Sequence, residues 1–349
     1  MKYIYGTLAT LTAMMLTLTA CTAESNETDT AQTRQMLFDA TVGTGGATTR
    51  TVNTSLQTTN ISVGNTVGAF IYRQGTTEDT GPEEIDIENF GYKKDYGYTN
   101  KLFTRVDGTS QLYSPTQPLF PQEGTGTARN ADIYAYAPYD ASYGTDWTTP
   151  KTFTVKADQR SDADYIASDL LWTKFNTDDA ARKQTETSHY TIFSTPFSHK
   201  LTQVKINVIY GDGVPAGTLN NIPIQLVNVL TSGTIDLTDG TVAASSTRSA
   251  VTVFTYKDAV ADPETPAVAS GTAIIYPHTA AELTAGGAIQ IEVNGFTYTA
   301  ALKTTNITEL VAGKKYEYNV TVSSTGITFS AAISPWTEED ERPVVSDLQ

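Results

Sequence analysis

The sequence predicts an all-β protein built from antiparallel β-sandwiches. Its composition favours strands, because Thr, Val, Ile and 19 Tyr are abundant, whereas long helical patterns of Leu, Ala, Glu and Lys are missing. Apolar and polar residues alternate along many short segments, and Gly, Pro, Asn and Asp separate these segments. Short alternating strands divided by such turns are typical of a sandwich. With 349 residues, 39% of them hydrophobic, the chain is long enough for two domains with substantial cores.

Residues 1–20 are predicted to be a signal peptide and not part of the fold. The basic residue Lys2 precedes an apolar segment, from about Leu8 to Leu18, that is too short to span a bilayer. Small residues then lead to Cys21. An ordinary secretory signal followed by a chance cysteine is one interpretation of this arrangement.

The other interpretation is lipidation, because Leu-Thr-Ala-Cys resembles the lipobox of bacterial lipoproteins. This resemblance implies that the thiol of Cys21 is acylated and that several acyl chains anchor the protein stably. Cys21 is also the only cysteine of the chain. No disulfide and no thiolate metal site is therefore expected.

Residues 21–50 are predicted to contain a tether, a first strand and a cleavable loop. Residues 22–33 are polar and acidic with nothing to bury, which is typical of a tether. Residues 36–42 alternate, which predicts a short strand whose apolar face fills a groove in the first domain. The predicted groove-filling side chains are Met36, Phe38, Ala40 and Val42.

The glycine-rich stretch 43–50 predicts a mobile loop between this strand and the rest of the chain. Arg50, at its end, would be open to a trypsin-like protease, and cleavage there would detach the strand. The slot left behind would present unpaired backbone groups, which a strand of another subunit could fill by donor-strand complementation. An ordinary first strand followed by an incidental arginine is the alternative.

A first β-sandwich domain is predicted over residues 51–188. Val67–Tyr72 forms an apolar buried strand, and Ile133–Tyr139 alternates until a proline ends it. Between them, the acidic stretch Gly75–Tyr98 indicates a surface loop or an edge hairpin, and its spacing matches no known calcium loop. The polar stretch Thr177–Ser188 is predicted to be the linker to the next domain.

A second β-sandwich domain is predicted over residues 189–349, with a C-terminal tail that could donate a strand. Phe197–Val208 alternates, which predicts one half-buried antiparallel strand at the start of this domain. Asn294-Gly295 is the strongest hairpin signal in the chain. Further strands are predicted at Ile222–Val229, Thr234–Leu237, Val251–Tyr256, Thr272–Tyr276, Ile289–Val293, Phe296–Leu302, Tyr316–Val322 and Ile327–Ile333.

The sequence offers few groups for catalysis. It lacks a nucleophile elbow, a His-Glu-x-x-His motif and a phosphate-binding loop, and its three histidines are scattered. The carboxylate pairs Asp162/Asp164 and Asp178/Asp179 could suit a glycosidase, but such pairs arise by chance in an acidic chain. The net charge of −15 opposes nucleic-acid binding. The sequence therefore predicts a protein that is not an enzyme and needs no metal or cofactor. The histidines are His189, His199 and His278.

Six segments occur in the same order in one protein family. They are Ile-Tyr-Ala-Tyr-Ala-Pro-Tyr (133–139), Ser-Asp-Leu-Leu-Trp (168–172), Phe-Ser-His-Lys-Leu-Thr-Gln-Val-Lys-Ile-Asn-Val (197–208), Ile-Ile-Tyr-Pro (274–277), Ala-Gly-Lys-Lys-Tyr-Glu-Tyr-Asn-Val-Thr-Val (312–322) and Ile-Ser-Pro-Trp (333–336). With these segments and its lipobox, the chain resembles the fimbrillin-like (type V pilus subunit) lipoproteins of Bacteroidetes over nearly its whole length behind the signal.

This resemblance implies two transthyretin-like antiparallel β-sandwich domains with Greek-key-type connections. It implies a structural subunit of a surface pilus (fimbria) that supports cell adhesion and is exported as an outer-membrane lipoprotein. An Arg-specific protease would cleave it, and strand exchange would join it to other pilus subunits. Arg50 fits the cleavage site better than Arg34, because Arg50 follows the first strand. The alternative is a monomeric surface lipoprotein, or tip-type adhesin, that binds a host glycan or protein.

Overall fold

Strands make up most of the described chain, so the predicted all-β class is confirmed. The helices are short, as expected from a sequence without long helical patterns. Among the described residues, no helix is both long enough and apolar enough to cross a membrane. The computed structural model describes residues 35–42, 61, 65–73, 84–86, 91–93, 98–105, 111–115, 131–186, 190–214, 219, 222–256, 267–293, 295–324 and 326–335.

The first half of the chain forms one large sheet and a small separate hairpin. The hairpin joins β3 to β4 within the acidic stretch Gly75–Tyr98, where a surface loop or hairpin is predicted. A helix, α1 (Asp162–Ala167), and two 3-10 turns, Ala141–Tyr143 and Ala180–Arg182, lie between strands. The strands are β1 (Gln35–Val42), β2 (Thr66–Arg73), β3 (Glu84–Asp86), β4 (Gly91–Lys93), β5 (Tyr98–Arg105), β6 (Gln111–Tyr113), β7 (Ala131–Ala137), β8 (Lys151–Thr154), β9 (Leu171–Asn176), β10 (Lys183–Glu186) and β11 (Tyr190–His199).

The large sheet curls until it meets itself. Its eight described strands follow the order β1-β6-β5-β2-β7-β9-β11-β10, and β1 pairs in addition with β11. This extra pair closes seven of the eight described strands into a ring. The eighth strand, β10, pairs with β11 and lies outside the ring. The pair of β1 with β11 is parallel, whereas the other pairs of the sheet are antiparallel. In this half one curled sheet therefore encloses its own core as a partial barrel.

One wall of the barrel is buried on both faces. Along β2, Val67, Ala69 and Ile71 face the barrel interior, while Phe70 and Tyr72 belong to the core of the second half. A strand covered on both sides needs apolar residues at every position. This double burial explains why the segment has a continuous apolar run instead of an alternating pattern.

The second half of the chain forms three smaller sheets around one core. The five-stranded sheet has the order β17-β18-β12-β21-β22, and the four-stranded sheet has the order β16-β13-β19-β20. The third sheet, β15-β14-β8, includes a strand from the first half. The elements are β12 (Thr202–Tyr210), β13 (Ile224–Leu230), β14 (Ser232–Ile235), β15 (Val242–Ala244), β16 (Arg248–Thr252), β17 (Phe254–Tyr256), β18 (Ala267–Ile275), α2 (Ala280–Ala285), β19 (Ala288–Val293), β20 (Phe296–Ala301), β21 (Lys314–Ser323) and β22 (Gly326–Pro335).

The predicted single strand over Phe197–Val208 is wrong, because the chain divides this stretch between two sheets. β11 pairs with β1, β9 and β10 of the barrel, whereas β12 pairs with β18 and β21 of the five-stranded sheet. The chain therefore changes sheet at Lys200. The predicted linker Thr177–Ser188 also contains β10, an edge strand of the barrel sheet.

A buried histidine joins the end of β13 to the segment that follows β18. His278 is 1% exposed; its Nε2 accepts a bond from the Leu230 N–H (3.1 Å), and its Nδ1–H donates to the Tyr276 carbonyl (2.8 Å). These two bonds require the neutral ring. Burial lowers the pKa of His278, and Arg248 lowers it further, although the Tyr276 bond and Glu282 raise it.

We expect the stability of the protein to fall as the pH drops below 6.5, the ordinary pKa of a histidine. The unfolded chain binds a proton on His278 in this range and the folded chain does not, so protonation favours unfolding until the lowered folded pKa is reached. Denaturant unfolding on both sides of pH 6.5 measures this loss. His278→Gln should be less stable at neutral pH but less sensitive to acid. An equal acid sensitivity of the two proteins would contradict the assignment.

Candidate functional site

β1 has a long neighbour on one side and a short neighbour on the other. All eight residues, Gln35–Val42, pair in parallel with Tyr190–Phe197 of β11. The pairing with β6 involves only Phe38 and Asp39. We call the space that β1 occupies between β11 and β6 the first-strand slot. If β1 were absent, the free edge of β11 would be the main pairing surface of this slot.

The alternation of β1 places one row of side chains inside the barrel. Met36 and Ala40 are fully buried, and Phe38 and Val42 are each 3% exposed. The residues between them are half-buried on the outer face. The four residues for which groove filling is predicted thus all face the barrel core.

Phe38 is the centre of an aromatic cluster built from four strands. Its ring centroid lies 5.6 Å from that of Phe103 and 6.1 Å from that of Phe175, both edge-on, and 6.4 Å from that of Phe193. Edge-to-face pairs add about 0.5–1.5 kcal/mol each beyond the burial of their surface. Phe38 therefore connects β1 to β5, β9 and β11 at once.

Burial of the apolar face holds β1 in the first-strand slot. Burying the Met36, Phe38 and Val42 side chains contributes on the order of 5–9 kcal/mol. This figure is an upper estimate, because the unfolded chain already buries some apolar surface and ordering the strand costs conformational entropy.

Asp39 interrupts the otherwise favourable contacts of β1. Its side chain points to the outer face, where its Oδ1 atom is buried without a hydrogen-bond partner among the described residues. A buried polar atom without a partner costs about 1–3 kcal/mol. Asp39 therefore weakens the hold of the barrel on its first strand.

We expect Asp39→Thr to stabilise the uncleaved protein by about 1–3 kcal/mol, because it removes this buried oxygen and introduces a strand-favouring side chain. Denaturant unfolding of the two proteins measures the difference. Asp39→Asn is the matched control, since it keeps a polar group at the same place and should gain less. A lower stability of Asp39→Thr would show that Asp39 is not a destabilising residue.

The other residues singled out by sequence do not assemble into a second site. Cys21, Arg50 and His189 lie outside the described residues. The described part of the chain contains no group of His, Cys, Asp and Glu suited to a metal ion. His199 is buried and its Nδ1 lies 2.8 Å from Oδ1 of Asp169, a partner that sequence analysis did not identify.

In each carboxylate pair proposed as a glycosidase candidate, at least one carboxylate has a structural partner. Asp162 and Asp164 lie in the first turn of α1, where Oδ2 of Asp164 accepts a bond from the Ser161 hydroxyl (2.6 Å). Asp179 caps a 3-10 turn by accepting a bond from the Ala181 N–H (3.0 Å). Negative charge at the start of a helical turn is favourable. These carboxylates therefore stabilise local structure.

Sequence analysis found β1 but not the strands that hold it. The clearest missed signal is the alternation of Thr191, Phe193, Thr195 and Phe197, which are all buried on the inner face of β11. This pattern predicts a half-buried strand as clearly as that of β1 does. Its role as the parallel partner of β1 could not be inferred, because local alternation does not identify a distant neighbour.

The C-terminal strands differ in how firmly they are held. β21 lies between β12 and β22, and its buried residues include Tyr316, Tyr318, Val320 and Val322. β22 lies at the edge of the five-stranded sheet and pairs with β21 alone among the described strands. Of the pair Tyr316–Ile333, only β22 can therefore leave without dividing the sheet.

Comparisons with known proteins identify relatives of this architecture. A crystal structure from Bacteroides uniformis, named for a role in cell adhesion, is 18% identical with a TM-score of 0.60, over 87% of this chain and 99% of that chain. One with a similar name from Bacteroides ovatus is 17% identical with a TM-score of 0.57, over 88% and 99% of the two chains. At these identities the likeness shows the fold alone. No curated protein matches the chain by sequence.

The sequence itself matches a family model. The model describes fimbrillin-like proteins and matches residues 49–336. This range begins just before Arg50 and ends at Trp336, so it includes the three sheets of the second half and most of the barrel. Because the match spans well over half of the chain, the chain belongs to the fimbrillin-like family.

Proposed function

We propose that this chain is a structural subunit of a surface fimbria that supports cell adhesion. It is exported as a lipoprotein anchored in the outer membrane through Cys21, is cleaved after Arg50 by an Arg-specific protease, and joins other subunits by strand exchange. It performs no catalysis. Family membership and the fold likeness to proteins named for cell adhesion support this proposal, and the geometry of β1 carries it.

The decisive observation is that β1 closes the barrel although it comes from the very start of the fold. It ends at Val42, so cleavage after Arg50 removes it completely. The first-strand slot then exposes the rings of Phe103, Phe175 and Phe193 together with the edge of β11. Apolar surface beside unpaired backbone groups is what an incoming strand recognises in strand addition.

The incoming strand is proposed to come from the C-terminal end of another subunit. β21 is unsuited, since it is central in its sheet and buried. β22 has ten residues against the eight of β1, so it can cover the whole slot and extend beyond it. The tail at residues 337–349 is the other candidate donor.

We retain the two-domain, transthyretin-like description as part of the proposal. The first domain is the partial barrel and the second is the sandwich of the five- and four-stranded sheets. The sequence places the boundary between residues 188 and 189; we propose Lys200 instead, because the chain changes sheet there. Strand β8, which pairs with β14, connects the two domains.

Arg50→Ala is expected to block fibre formation while leaving the uncleaved protein folded, because residue 50 lies outside β1. Electron microscopy and SDS-resistant ladders detect fibres, and N-terminal sequencing of surface-extracted protein detects cleavage. Arg34→Ala is the matched control, since Arg34 precedes the strand and its removal should leave assembly unchanged. Fibres that still form from Arg50→Ala would refute the cleavage site.

The same sequencing experiment separates this proposal from its alternative. A fimbrial subunit should begin at Thr51 after maturation. A monomeric adhesin that binds a host glycan or protein should instead keep residues 21–50 and its lipid at Cys21. Wild-type protein that keeps these residues at the cell surface and forms no ladder would favour the adhesin.

A further inference from the structure

An exposed arginine lies between β8 and α1. The side chain of Arg160 is 67% exposed. Among the arginines whose side chains the structure describes, it is the only exposed one, since Arg105, Arg182 and Arg248 are half-buried. Proteases preferentially cut exposed loops that carry polar residues. Arg160 is therefore the described arginine most open to an Arg-specific protease.

Cleavage after Arg160 would destroy the subunit. Five strands of the barrel sheet precede this residue and three follow it, so a cut would divide the sheet between two fragments. The inference developed here rests on the proposed function, in which an Arg-specific protease acts after Arg50. A protease that matures the subunit in this way must leave Arg160 intact.

The side chain of Gln159 fixes the residue just before Arg160. Gln159 is fully buried. Its Oε1 accepts a bond from the Ile274 N–H (2.8 Å), and its Nε2 donates to the Ile274 carbonyl (2.8 Å). β17 pairs with β18 only as far as Thr272. The Gln159 amide thus takes the place of a neighbouring strand at the next outward-facing residue of β18.

The backbone on both sides of Arg160 is also held. The Gln159 N–H donates to the Thr252 carbonyl (2.9 Å), and the Ala157 carbonyl accepts a bond from the Thr252 N–H (2.8 Å). On the other side, Ser161 caps α1. The loop is therefore anchored to the second half of the fold and to a helix, although the arginine side chain itself is exposed.

We infer that Gln159 is a specificity-determining residue for maturation, because it anchors the loop and so prevents an Arg-specific protease from cleaving after Arg160. A cleft that binds an extended peptide pairs with its backbone groups, and around Arg160 such groups are already bonded. The loop must first detach from Thr252 and Ile274, so the cleavage rate follows the fraction of molecules in which it is detached. The glycine-rich stretch 43–50, in contrast, is predicted from sequence to be a mobile loop.

The ion pair of Arg160 is the weaker constraint on cleavage. Its guanidinium donates from Nε (2.9 Å) and Nη2 (2.6 Å) to the two carboxylate oxygens of Asp158. Both side chains are at least half exposed. Because exposed ion pairs contribute little, breaking this one should speed cleavage after Arg160 by less than about fivefold. Loss of the Gln159 amide, whose bonds to Ile274 are buried, should speed it by about 10- to 100-fold.

Limited digestion with clostripain, an Arg-specific endoprotease, tests the inference on the full chain carrying Cys21→Ser, which prevents lipid attachment. Mass spectrometry of the fragments gives the cleavage rate at each arginine. The parent protein is expected to be cut after Arg50 and to release no early fragment that begins at Ser161. Gln159→Ala should release that fragment about 10- to 100-fold faster, and Asp158→Asn less than about fivefold faster.

Two further variants separate local release of the loop from general unfolding. Gln159→Met keeps the buried volume but not the amide bonds, so it should behave like Gln159→Ala. His278→Ala is the matched control, because it also removes two buried hydrogen bonds of the second half but leaves the loop intact. Cleavage after Arg160 should rise much more than cleavage after Arg248 in the Gln159 variants and not in His278→Ala. Circular dichroism melting verifies that the variants fold.

The outcomes distinguish this inference from the proposed function. Rapid cleavage of the parent protein after Arg160, or cleavage of the Gln159 variants there at the parental rate, would overturn the inference. Equal acceleration after Arg160 and Arg248 in the Gln159 variants would also overturn it, since general unfolding would then be the cause. Absence of cleavage after Arg50 would count against the proposed maturation site alone.

Discussion

Phe38→Asp is expected to unfold the barrel of the uncleaved protein and to leave the assembled fibre unchanged. The substitution removes a side chain that contacts Phe103, Phe175 and Phe193, a loss of about 3–5 kcal/mol. It also places a carboxylate in an apolar interior without a partner, which costs several kcal/mol more or forces the group to take up a proton. Since small proteins have only about 5–15 kcal/mol of stability, the precursor should be largely unfolded.

The fibre should not respond, because residue 38 is absent from it if cleavage follows Arg50. Purified precursor and fibres, each wild type and variant, can be compared by thermal unfolding. Gln35→Asp, which adds the same charge at an exposed position of β1, is the control and should change neither form. Equal destabilisation of precursor and fibre, or of neither, would rule out strand replacement.

Gly68→Val should destabilise every form of the protein by about 3 kcal/mol or more, as expected when a side chain is forced into a well-packed core. Gly68 lies opposite Tyr136 in the β2–β7 pair. A Cβ atom at residue 68 would lie 2.4 Å from the Cε1 and Cζ atoms of the Tyr136 ring, far inside van der Waals contact. The ring has no simple alternative position, because it is fully buried and stacks on Tyr143 at 4.8 Å.

The Tyr136 hydroxyl adds to this constraint. It donates to Oδ1 of Asn100 (2.6 Å) and accepts a bond from the Asp140 N–H (3.2 Å). Displacing the ring therefore breaks contacts with β5 and with the segment after β7, and it disturbs the wall shared by both cores. Burial also raises the pKa of Tyr136, so the phenol stays neutral at physiological pH.

A double-mutant cycle separates steric conflict from general weakening of the strand. If the clash dominates, Gly68→Val should cost much less in a Tyr136→Leu background than in the wild type, so the two changes are not additive. Gly295→Ala is the control glycine, since its added Cβ meets no atom within 4 Å and its cost arises only from a φ of +79°. Additive effects in the cycle would contradict the proposed packing.

The sequence predicted strands well because their periodicity is local. The alternation in β1 is reproduced by its burial, and the Asn294-Gly295 signal corresponds to the hairpin of β19 and β20. The break between β11 and β12 had a signal that was overlooked. The buried residues Phe197 and Leu201 lie at odd-numbered positions, whereas the buried residues Val204 and Ile206 lie at even-numbered positions. This shift in the alternation coincides with the change of sheet.

Closure of the barrel could not be predicted in the same way. Nothing in the segment 36–42 indicates that its neighbour is β11, or that the two strands run parallel, because the same alternation suits any half-buried strand. The sequence also could not show that the buried Oδ1 atom of Asp39 lacks a hydrogen-bond partner among the described residues, since its environment depends on strands distant in the chain. These features of the site depend on tertiary contacts, and only the folded structure reveals them.

The parallel pairing of β1 with β11 has a consequence for the order of folding. Gln35 and its partner Tyr190 are separated by 155 positions in the chain (190 minus 35). Contacts between such distant segments form late, since closing a long loop costs entropy that local hairpins do not have to overcome. The strand that is synthesised first is therefore among the last to find its place. Until β11 has been synthesised, the parallel partner of β1 is missing and the ring cannot close.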